Sequence, residues 1–381
     1  MLNTQAFGAQ IKGYGYNFFA GVPCSYLKDF INYCINSSRY ITAANEGDAV
    51  AICAGAYLGG VKSVVLMQNS GLTNAFSPLS SLNYIFKIPV LGLVSLRGEE
   101  GTEDEPQHEL MGKITTTTLD NLQIHWDFLA SDPATAAAQL EKANRYIERG
   151  ASFFFVVRKK TFEKVDLIAP TLAERYQGRT VDSQKADAAP KRLDVLRSII
   201  AFEDRNTVFF GTTGYTGREL AEIADLPNNF YMVGSMGCVG SLGLGLAMVN
   251  PGKKVIAIDG DGALLMRMGS LATNGYYRPA NLLHIMLDNG AYESTGRQTT
   301  VSGNIKFHQI AAACGYQNSF CVHDLAELET AIGAWKKEQG LTFIHLKITP
   351  GTKENLGRPK VKPVEVKERF MNFLAVTAEG Q

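Results

Sequence analysis

Two acidic residues and two glycines interrupt an apolar run in the segment 257–265, which reads AIDGDGALL. The glycines indicate a tight turn, because glycine readily adopts the backbone angles that such a turn requires. The turn does not explain Asp261, which stands where a helix is predicted to begin. Taken alone, Asp261 is most simply a helix N-cap, since Asp side chains accept hydrogen bonds from free N–H groups at helix starts.

A second polar residue changes the interpretation of Asp261. Asn289 follows the next predicted strand and lies 29 residues after Gly260. Neighbouring parallel strands end at the same edge of a sheet, so the two side chains should lie side by side. Carboxylate and amide oxygens are ligands that Mg²⁺ or Ca²⁺ prefers, and two of them leave room for phosphate oxygens. A helix start after Gly262 would offer N–H groups to the same phosphates. The spacing therefore predicts a metal ion that holds a phosphorylated ligand.

Short apolar runs alternate with segments of helical period along the whole chain, as is typical of parallel sheets covered by helices. The predicted strands are 16–22, 39–44, 62–68, 89–96 and 151–157 in the first half, and 206–211, 229–234, 253–259, 281–288 and 341–348 in the second. A polar stretch without a long apolar period separates the halves. We therefore predict two α/β domains of the doubly wound, mostly parallel type at 1–165 and 193–381, joined by a linker at 166–192.

Composition argues against several classes of protein. Lys plus Arg and Asp plus Glu both number 37, so no general positive field would draw the chain to nucleic acid or to a membrane surface. No apolar run reaches the length of a membrane span, and the N-terminal segment lacks the pattern of a signal peptide. The six cysteines form no CxxC pair, and the six histidines form no HxH or HxxxH pair. We therefore expect a cytoplasmic protein with reduced thiols and without a transition-metal site.

The GDG turn and Asn289 together resemble the fingerprint of thiamine-diphosphate-dependent enzymes, in which an asparagine follows GDG at this spacing. The resemblance implies that Mg²⁺ is bound by the side chains of Asp261 and Asn289 and by the backbone carbonyl of Ala291. It implies that the residues in contact with thiamine diphosphate are Gly211, Thr212, Thr213, Ser235, Met236, Gly262, Ala263, Asn289 and Tyr292. Met236 would support the bent cofactor between its rings, although a lone methionine is more often core filler.

Thiamine chemistry also requires a carboxyl group against the aminopyrimidine ring, which promotes the imino tautomer that activates the thiazolium carbon. Glu46, in the segment ITAANEGDAV, matches the catalytic glutamate of the family. By itself, Glu46 could equally be an acid at a helix start, where the macrodipole favours it. The family's pyrimidine-binding and diphosphate-binding domains, here 1–165 and 193–381, usually meet between different subunits. The resemblance therefore implies a homodimer, or a dimer of dimers, with the active site across the subunit interface.

Five further segments resemble a short-chain group of these decarboxylases that act on phosphonopyruvate or sulfopyruvate, namely 21–30, 67–82, 95–113, 287–296 and 356–374. The resemblance implies a small 2-oxoacid substrate and decarboxylation of 3-phosphonopyruvate to phosphonoacetaldehyde and CO₂. The pathway implied is the biosynthesis of phosphonates such as 2-aminoethylphosphonate. The expected substrate contacts are Ser25, Asn69, Arg97, Gln107 and His108. His108 could also transfer a proton, unless it is an ordinary surface histidine.

Other cationic candidates for the phosphonate group are Arg297, Lys353 and Arg358, each of which alone is more simply a solvated residue. Two positions depart from similar sequences: Cys24 stands where Asp is expected, and Arg297 stands where Gly is expected. The acidic run EEGTEDE at 99–105 would repel a dianionic substrate, so we interpret it as a solvated loop or lid.

Several alternatives stay open at this point. The nearest is the same reaction on sulfopyruvate. Its enzymes are often split into two subunits, whereas both halves are fused here, which modestly favours phosphonopyruvate. Carboligation is less consistent, because its enzymes carry an additional middle domain. A cofactor-binding shell without activity is less consistent with the presence of Glu46, Asp261 and Asn289. A Rossmann-type nucleotide-binding module is the alternative of a different class, but no acidic residue stands where that fold binds ribose.

Overall fold

The computed structural model describes residues 1–168, 176–183 and 188–379 of the chain. Within these ranges, no helix combines the length and the apolar character that crossing a membrane requires.

The chain divides into two compact units, at 1–172 and 173–381. The boundary falls within the predicted linker 166–192, of which 169–175 and 184–187 lie outside the described residues. The rest of this linker is not only a connection, because it contains a short strand that pairs with the sheet of the second unit.

The first unit is a six-stranded sheet with parallel pairing and helices between the strands. The strand order is β2-β1-β3-β4-β6-β5. Its elements in chain order are α1 (Thr4–Gly13), β1 (Tyr16–Gly21), α2 (Lys28–Ser37), β2 (Arg39–Thr42), α3 (Glu46–Leu58), β3 (Lys62–Gln68), α4 (Gly71–Pro78), β4 (Leu91–Ser95), α5 (Glu109–Asn121), β5 (His125–Phe128), α6 (Pro133–Glu148) and β6 (Phe153–Val157).

The second unit is built on a seven-stranded parallel sheet in the order β7-β14-β15-β11-β10-β8-β9. A small antiparallel hairpin, β12-β13, lies outside this sheet. The elements are β7 (Arg179–Asp182), α7 (Arg192–Ile200), β8 (Thr207–Gly211), α8 (Tyr215–Ile223), β9 (Asn229–Tyr231), α9 (Val239–Val249), β10 (Lys254–Gly260), α10 (Asp261–Met266), α11 (Ser270–Tyr277), β11 (Leu282–Asp288), β12 (Ala291–Tyr292), β13 (Gln298–Thr299), α12 (Phe307–Cys314), β14 (Asn318–Val322), α13 (Leu325–Glu338), β15 (Thr342–Lys347) and α14 (Pro363–Glu379).

The central strands of both sheets are buried because their sequences are uniformly apolar. Every residue of β4, β6, β8 and β11 is buried, as expected for parallel strands with both faces covered. Two helices, α3 and α9, are also apolar on almost all sides and are buried along most of their length. Their many Ala and Gly residues allow close packing against the strands. The predicted fold class, two α/β units with parallel sheets, is therefore confirmed.

The differences from the predicted elements concern sheet edges and helix breaks. Strands β5, β7 and β14 were not predicted, because their sequences are polar or mixed and two of them lie at sheet edges, where one side meets solvent. The segment 264–277 is divided between α10 and α11 rather than forming one helix. Helix α4 begins at Gly71, and the chain continues after Pro78 as a π-helical stretch, since proline offers no N–H for the regular pattern.

Candidate functional site

The candidate cofactor cleft of the second unit lies where the strand order reverses. The chain runs from β8 outward to β9 and then returns to β10 on the other side of β8, with β11 next to β10. Gly211 pairs with Ile258, and Gly260 pairs with Leu287, so the three strands end at one edge. Ligands of doubly wound proteins bind at such a switch point.

The cleft at this edge has a volume of about 80 Å³ and brings together most of the predicted cofactor and metal residues. Those that line it are Thr212, Thr213, Met236, Asp261, Gly262, Ala263, Asn289, Ala291 and Tyr292. Gly211 and Ser235, also predicted, are buried next to this lining, at the end of β8 and just before Met236.

Asp261 is the first residue of α10, and Gly260 occupies the N-cap position. The alternative that Asp261 only caps the helix is therefore wrong. Its side chain is buried and accepts a hydrogen bond from Thr300 Oγ1, 2.5 Å from Asp261 Oδ2. Burial raises the pKa of Asp261, and the nearby charge of Asp288 raises it further, against the hydrogen bond from Thr300. A cation beside this carboxylate would stabilise its ionised form.

Asn289 begins a tight turn that leads into β12. Its Oδ1 accepts a hydrogen bond from the backbone N–H of Ala291 at 3.1 Å. Gly290 has a positive φ of 68°, a conformation that glycine adopts without strain. The turn fixes the amide of Asn289 and the backbone of Ala291 beside the buried carboxylate of Asp261. Carboxylate, amide and carbonyl oxygens are the donor set of a hard divalent cation, so these residues fit Mg²⁺.

Asp288 supports this edge from behind and was not predicted. Its Oδ1 accepts hydrogen bonds from Ser302 Oγ at 3.0 Å and from Gly290 N at 3.1 Å. Its Oδ2 accepts from His345 and Lys347. Burial alone would raise the pKa of Asp288, but the hydrogen bonds from His345 and Lys347 lower it to about 2. Ser302 Oγ is also 3.0 Å from the Oγ1 of Thr300, so Asp288 and Asp261 belong to one hydrogen-bonded group.

Thr212 gives a second indication that the cleft holds a polar ligand. Its Oγ1 is buried and has no hydrogen-bond partner among the residues that the structure describes. A buried hydroxyl without a partner is costly, and a phosphate oxygen would satisfy it. Gly262 and Tyr292, which also line the cleft, pack closely against each other, because a Cβ at position 262 would lie 2.4 Å from the ring of Tyr292. Backbone and aromatic ring therefore meet at the first turn of α10.

A buried ion cluster at the cleft was also missed. Arg192 Nε donates to Glu219 Oε2 at 2.9 Å, and Arg192 Nη1 donates to Glu293 Oε2 at 2.6 Å. All three side chains are at most 5% exposed, and Arg192 and Glu293 line the cleft. The cluster joins the start of α7 and the middle of α8 to the residue that follows β12, the strand that contains Ala291. These residues are far apart in sequence, so no spacing signal could have identified them.

In the first unit, Glu46 lies in the first turn of α3, behind the N-cap Asn45. Its side chain is half-buried and accepts a hydrogen bond from Asn74 Nδ2 at 2.8 Å. A Cβ on Gly71 would lie 2.5 Å from Glu46 Cγ, so the carboxyl group packs against the start of α4. A position at the helix start is compatible with a role in catalysis, because Glu46 lies at the edge of the sheet where strands β2 and β3 end.

The predicted substrate residues of the first unit are spread around the same edge. A cleft of about 1070 Å³ is lined by Ser25 and Arg97, together with Tyr26, Lys28, Lys159 and other residues. Gln107 is exposed, and His108 is buried just before α5, so it is not a surface histidine. Asn69 is fully buried and donates to the backbone carbonyl of Arg97 at 2.8 Å and to Thr115 Oγ1 at 3.0 Å. In this structure Asn69 therefore positions the loop after β4.

Arg97 is held by an acidic residue of the run 99–105. Its Nε donates to Asp104 Oδ2 at 2.8 Å, its Nη2 donates to Asp104 Oδ1, and its Nη1 donates to Ser25 Oγ at 2.9 Å. The guanidinium group keeps the pKa of Asp104 far below its usual range. The interpretation of this run as a solvated loop is therefore wrong for Asp104, whose side chain is 6% exposed.

The remaining candidates are located away from these contacts. Cys24 is buried, with Sγ 3.1 Å from Ser95 Oγ. Arg297 is exposed and has a positive φ of 65°, which explains why glycine was expected there. Lys353 bonds to Glu222, and Arg358 is exposed near Arg218.

Comparisons with known proteins agree with this geometry. Residues 212–346 match the family described as "Thiamine pyrophosphate enzyme, C-terminal TPP binding domain". A phosphonopyruvate decarboxylase of Streptomyces viridochromogenes is 39% identical over 100% of this chain and 97% of that protein. A sulfopyruvate decarboxylase of Methanosarcina acetivorans is 32% identical over 96% of each chain. The crystal structure of benzoylformate decarboxylase from Polynucleobacter necessarius covers 93% of this chain and 100% of that chain with a TM-score of 0.72. The two sequences are 13% identical, so this comparison shows a similarity of fold alone.

Proposed function

The chain belongs to the phosphonopyruvate decarboxylase family of thiamine-diphosphate-dependent carboxy-lyases, and on that premise we propose that it converts 3-phosphonopyruvate to phosphonoacetaldehyde and CO₂. The observation that carries the proposal is the buried carboxylate of Asp261 beside Asn289 and Ala291 at the switch point of the second sheet. Mg²⁺ is the ion that suits this donor set.

The residues of the second unit would hold the cofactor through its diphosphate. Asp261, Asn289 and the carbonyl of Ala291 would bind Mg²⁺, and the unpaired hydroxyl of Thr212 would donate to a phosphate oxygen. Met236 lines the same cleft and would support the cofactor between its rings. When bound, thiamine diphosphate supplies a nucleophilic carbon and an electron sink for breaking the carbon–carbon bond.

The residues of the first unit would carry out proton transfer and substrate binding. Glu46 would hold a proton on its carboxyl group against the pyrimidine ring, and the hydrogen bond from Asn74 would orient that carboxyl group. Arg97 and Ser25 would bind the phosphonate, since a guanidinium held by Asp104 presents its Nη1 edge in a fixed direction. His108 would deliver the proton that the product carbon gains after CO₂ leaves.

Preference for phosphonopyruvate over sulfopyruvate is supported by identity, which is 39% to the phosphonopyruvate enzyme and 32% to the sulfopyruvate enzyme. Fusion of the two halves does not support this preference, because the sulfopyruvate decarboxylase of Methanosarcina acetivorans also aligns along a single chain.

The test is to incubate the protein with thiamine diphosphate and Mg²⁺ and to measure CO₂ release from phosphonopyruvate, sulfopyruvate and pyruvate separately. We expect the highest kcat/KM for phosphonopyruvate. A higher value for sulfopyruvate would overturn the substrate assignment, and no release that depends on thiamine diphosphate would overturn the activity.

We further propose that the active site forms between two copies of the chain, with Glu46 from one copy and the Mg²⁺ residues from the other. Two inactive variants, Glu46→Gln and Asp261→Ala, provide the test. In a mixed dimer one of the two sites would contain both wild-type groups, so equal mixing should restore about a quarter of wild-type activity. Each variant alone serves as the control. Absence of recovery, with mixed dimers demonstrated by differently tagged chains, would contradict a shared site.

A further inference from the structure

A cluster of two histidines and one cysteine lies in the second unit, outside the lining of the cofactor cleft. One ligand atom from each of His308, Cys321 and His345 lies within 4.8 Å of those of the other two. Both histidines are buried, and Cys321 is half-buried. We call these three residues the His–Cys cluster. Their positions in the sequence show no metal-binding spacing, so the cluster exists only in the folded chain.

The sheet register explains how the cluster forms. Asp182 on β7 pairs with Cys321 on β14, and Cys321 pairs with His345 on β15. Residues paired across parallel strands have side chains on the same face of the sheet. Helix α12 packs against β7, β14 and β15 and carries His308. The register and this helix thus bring a carboxylate, a thiol and two imidazoles together.

The ring nitrogens of the cluster have the pattern expected of metal ligands. His345 Nε2 is 2.9 Å from Asp288 Oδ2, while Nδ1 is buried and has no hydrogen-bond partner among the described residues. Neither nitrogen of His308, which is 4% exposed, makes a hydrogen bond within that same part of the chain. Asp182 Oδ1 lies 2.8 Å from His308 Nε2, at ion-pair distance, so the ring nitrogens that have no partner in this part of the chain are Nδ1 of His308 and Nδ1 of His345. Buried nitrogens without partners are rare in folded proteins.

We propose that the His–Cys cluster binds a zinc ion, with the carboxylate of Asp182 as the fourth ligand. Two imidazoles, a thiolate and a carboxylate form a tetrahedral set that suits Zn²⁺ better than Mg²⁺. Bond lengths in zinc sites place ligand atoms on the order of 3.5 Å apart. The three ligand atoms of the His–Cys cluster, which lie within 4.8 Å of one another, would move slightly closer together. The carboxylate of Asp182, with Oδ1 2.8 Å from His308 Nε2, would turn to complete the site. Four protein ligands leave no open position, which makes the site structural and distinct from the proposed Mg²⁺ site.

Asp288 provides an outer partner for this site. A metal-bound histidine usually donates its other N–H to a carboxylate, which fixes the orientation of the ring. Asp288 accepts from His345 in this way and is also bonded to Ser302, beside Thr300 and Asp261. The zinc ion would therefore fasten the exposed edge strand β7 to the sheet directly behind the cofactor edge. The expectation of a protein without a transition-metal site is replaced by this proposal.

The first experiment measures zinc binding to the full chain with Zn²⁺ alone as the probe. We expect about one zinc per chain at the cluster, and Co²⁺ in its place should give a thiolate-to-metal charge-transfer band. Cys321→Ser should lose that band and bind zinc at least about 100-fold more weakly, since loss of an outer partner alone costs about 10- to 100-fold. Cys314→Ser, a half-buried cysteine of α12, is the matched control and should behave as wild type. Asp261→Ala should also retain the zinc, which separates this site from the proposed Mg²⁺ site.

A second experiment needs no change at the cluster. Saturating Zn²⁺ should slow modification of Cys321 by a thiol reagent at least about tenfold, because a metal-bound thiolate is protected. Mass spectrometry of the modified peptides reports this at Cys321, with Cys314 as the internal control. His125→Gln changes an exposed histidine of the first unit and serves as the control variant, in which zinc should protect Cys321 as it does in the wild type. Equal modification rates at Cys321 with and without zinc, or a thiolate band that survives in Cys321→Ser, would overturn the proposal.

Discussion

The two units both place functional side chains at the carboxyl edge of a parallel sheet, but they secure them differently. In the second unit, Asp261 follows its strand directly, is buried, and is tied through Thr300 and Ser302 to Asp288. In the first unit, Ser25 is exposed, and Arg97 is held by Asp104 from within its own long loop. A short connection after a strand fixes one position rigidly, whereas a long loop can vary its side chains. The proposed cofactor edge is therefore held by buried contacts between several elements, whereas the proposed substrate residues are held mainly by contacts of one loop.

The largest expected effect tests the first unit alone. Glu46→Gln should lower kcat about 10²- to 10⁴-fold, because the amide cannot exchange a proton with the pyrimidine ring. Affinity for thiamine diphosphate should stay within about threefold, since the second unit holds the diphosphate. Steady-state kinetics and a cofactor titration by fluorescence measure the two quantities. Glu141→Gln, on the exposed side of α6, is the control. Near-normal turnover would remove Glu46 from the proposed role.

The next largest effect tests the second unit. Asp261→Asn should weaken Mg²⁺-dependent cofactor binding about 100-fold, because a charged ligand is lost while the shape is kept. Calorimetric titration with Mg²⁺ and thiamine diphosphate measures the affinity. Asp127→Asn, a partly exposed acid of the first unit, is the control. If high Mg²⁺ fails to recover any binding in Asp261→Asn, or if affinity is unchanged, Asp261 does not bind the ion.

The third prediction concerns pH and the support behind the cofactor edge. The folded pKa of Asp288, about 2, is below its ordinary value of 3.8. A lowered pKa contributes stability that is present above about pH 4 and is lost as pH falls toward 2. The contribution should be about 2 kcal/mol in the free energy of unfolding. Denaturant unfolding of the cofactor-free protein should show this loss. Asp288→Asn should have a lower free energy of unfolding at pH 7, and that free energy should change less with pH below pH 4 than in the wild type. The same pH dependence in the variant as in the wild type would contradict the assignment.

The smallest effect tests the loop of the first unit. Arg97→Lys keeps the charge but loses the two-pronged bond to Asp104, so the cation proposed to bind substrate should lose its fixed direction. We expect KM for phosphonopyruvate to rise about tenfold with kcat within about threefold. Arg158→Lys, whose guanidinium pairs with Glu99 of the same loop, is the matched control and should leave both constants unchanged. An equal rise in KM for both variants would show a general effect of the loop.

The same contrast explains what could be predicted from the sequence. Asp261 and Asn289 were found because each follows an apolar strand directly, and parallel neighbours must end together. The contact between Arg97 and Asp104 was missed because a loop path is not encoded in a hydrophobic period. The same holds for Arg192, Glu219 and Glu293, which come from three different elements.

Edge strands show a second limit of prediction from the sequence. Strand β7, with the sequence RTVD, has no buried residue, so nothing in its composition distinguishes it from a linker. Its membership in the sheet depends on pairing with β14, a contact more than a hundred residues away. The His–Cys cluster inherits this difficulty, because its partners are set by that pairing and not by spacing along the chain.

The buried cluster of Arg192, Glu219 and Glu293 gives the second unit a particular response to temperature. Hydration of charged groups becomes less favourable on heating, so the penalty for keeping these three side chains from water decreases. Hydrophobic contacts gain no comparable advantage over the same range. The loop that carries Ala291 is thus fastened by the kind of contact that weakens least on warming. On heating, this rim of the cleft should be among the last parts of the unit to loosen.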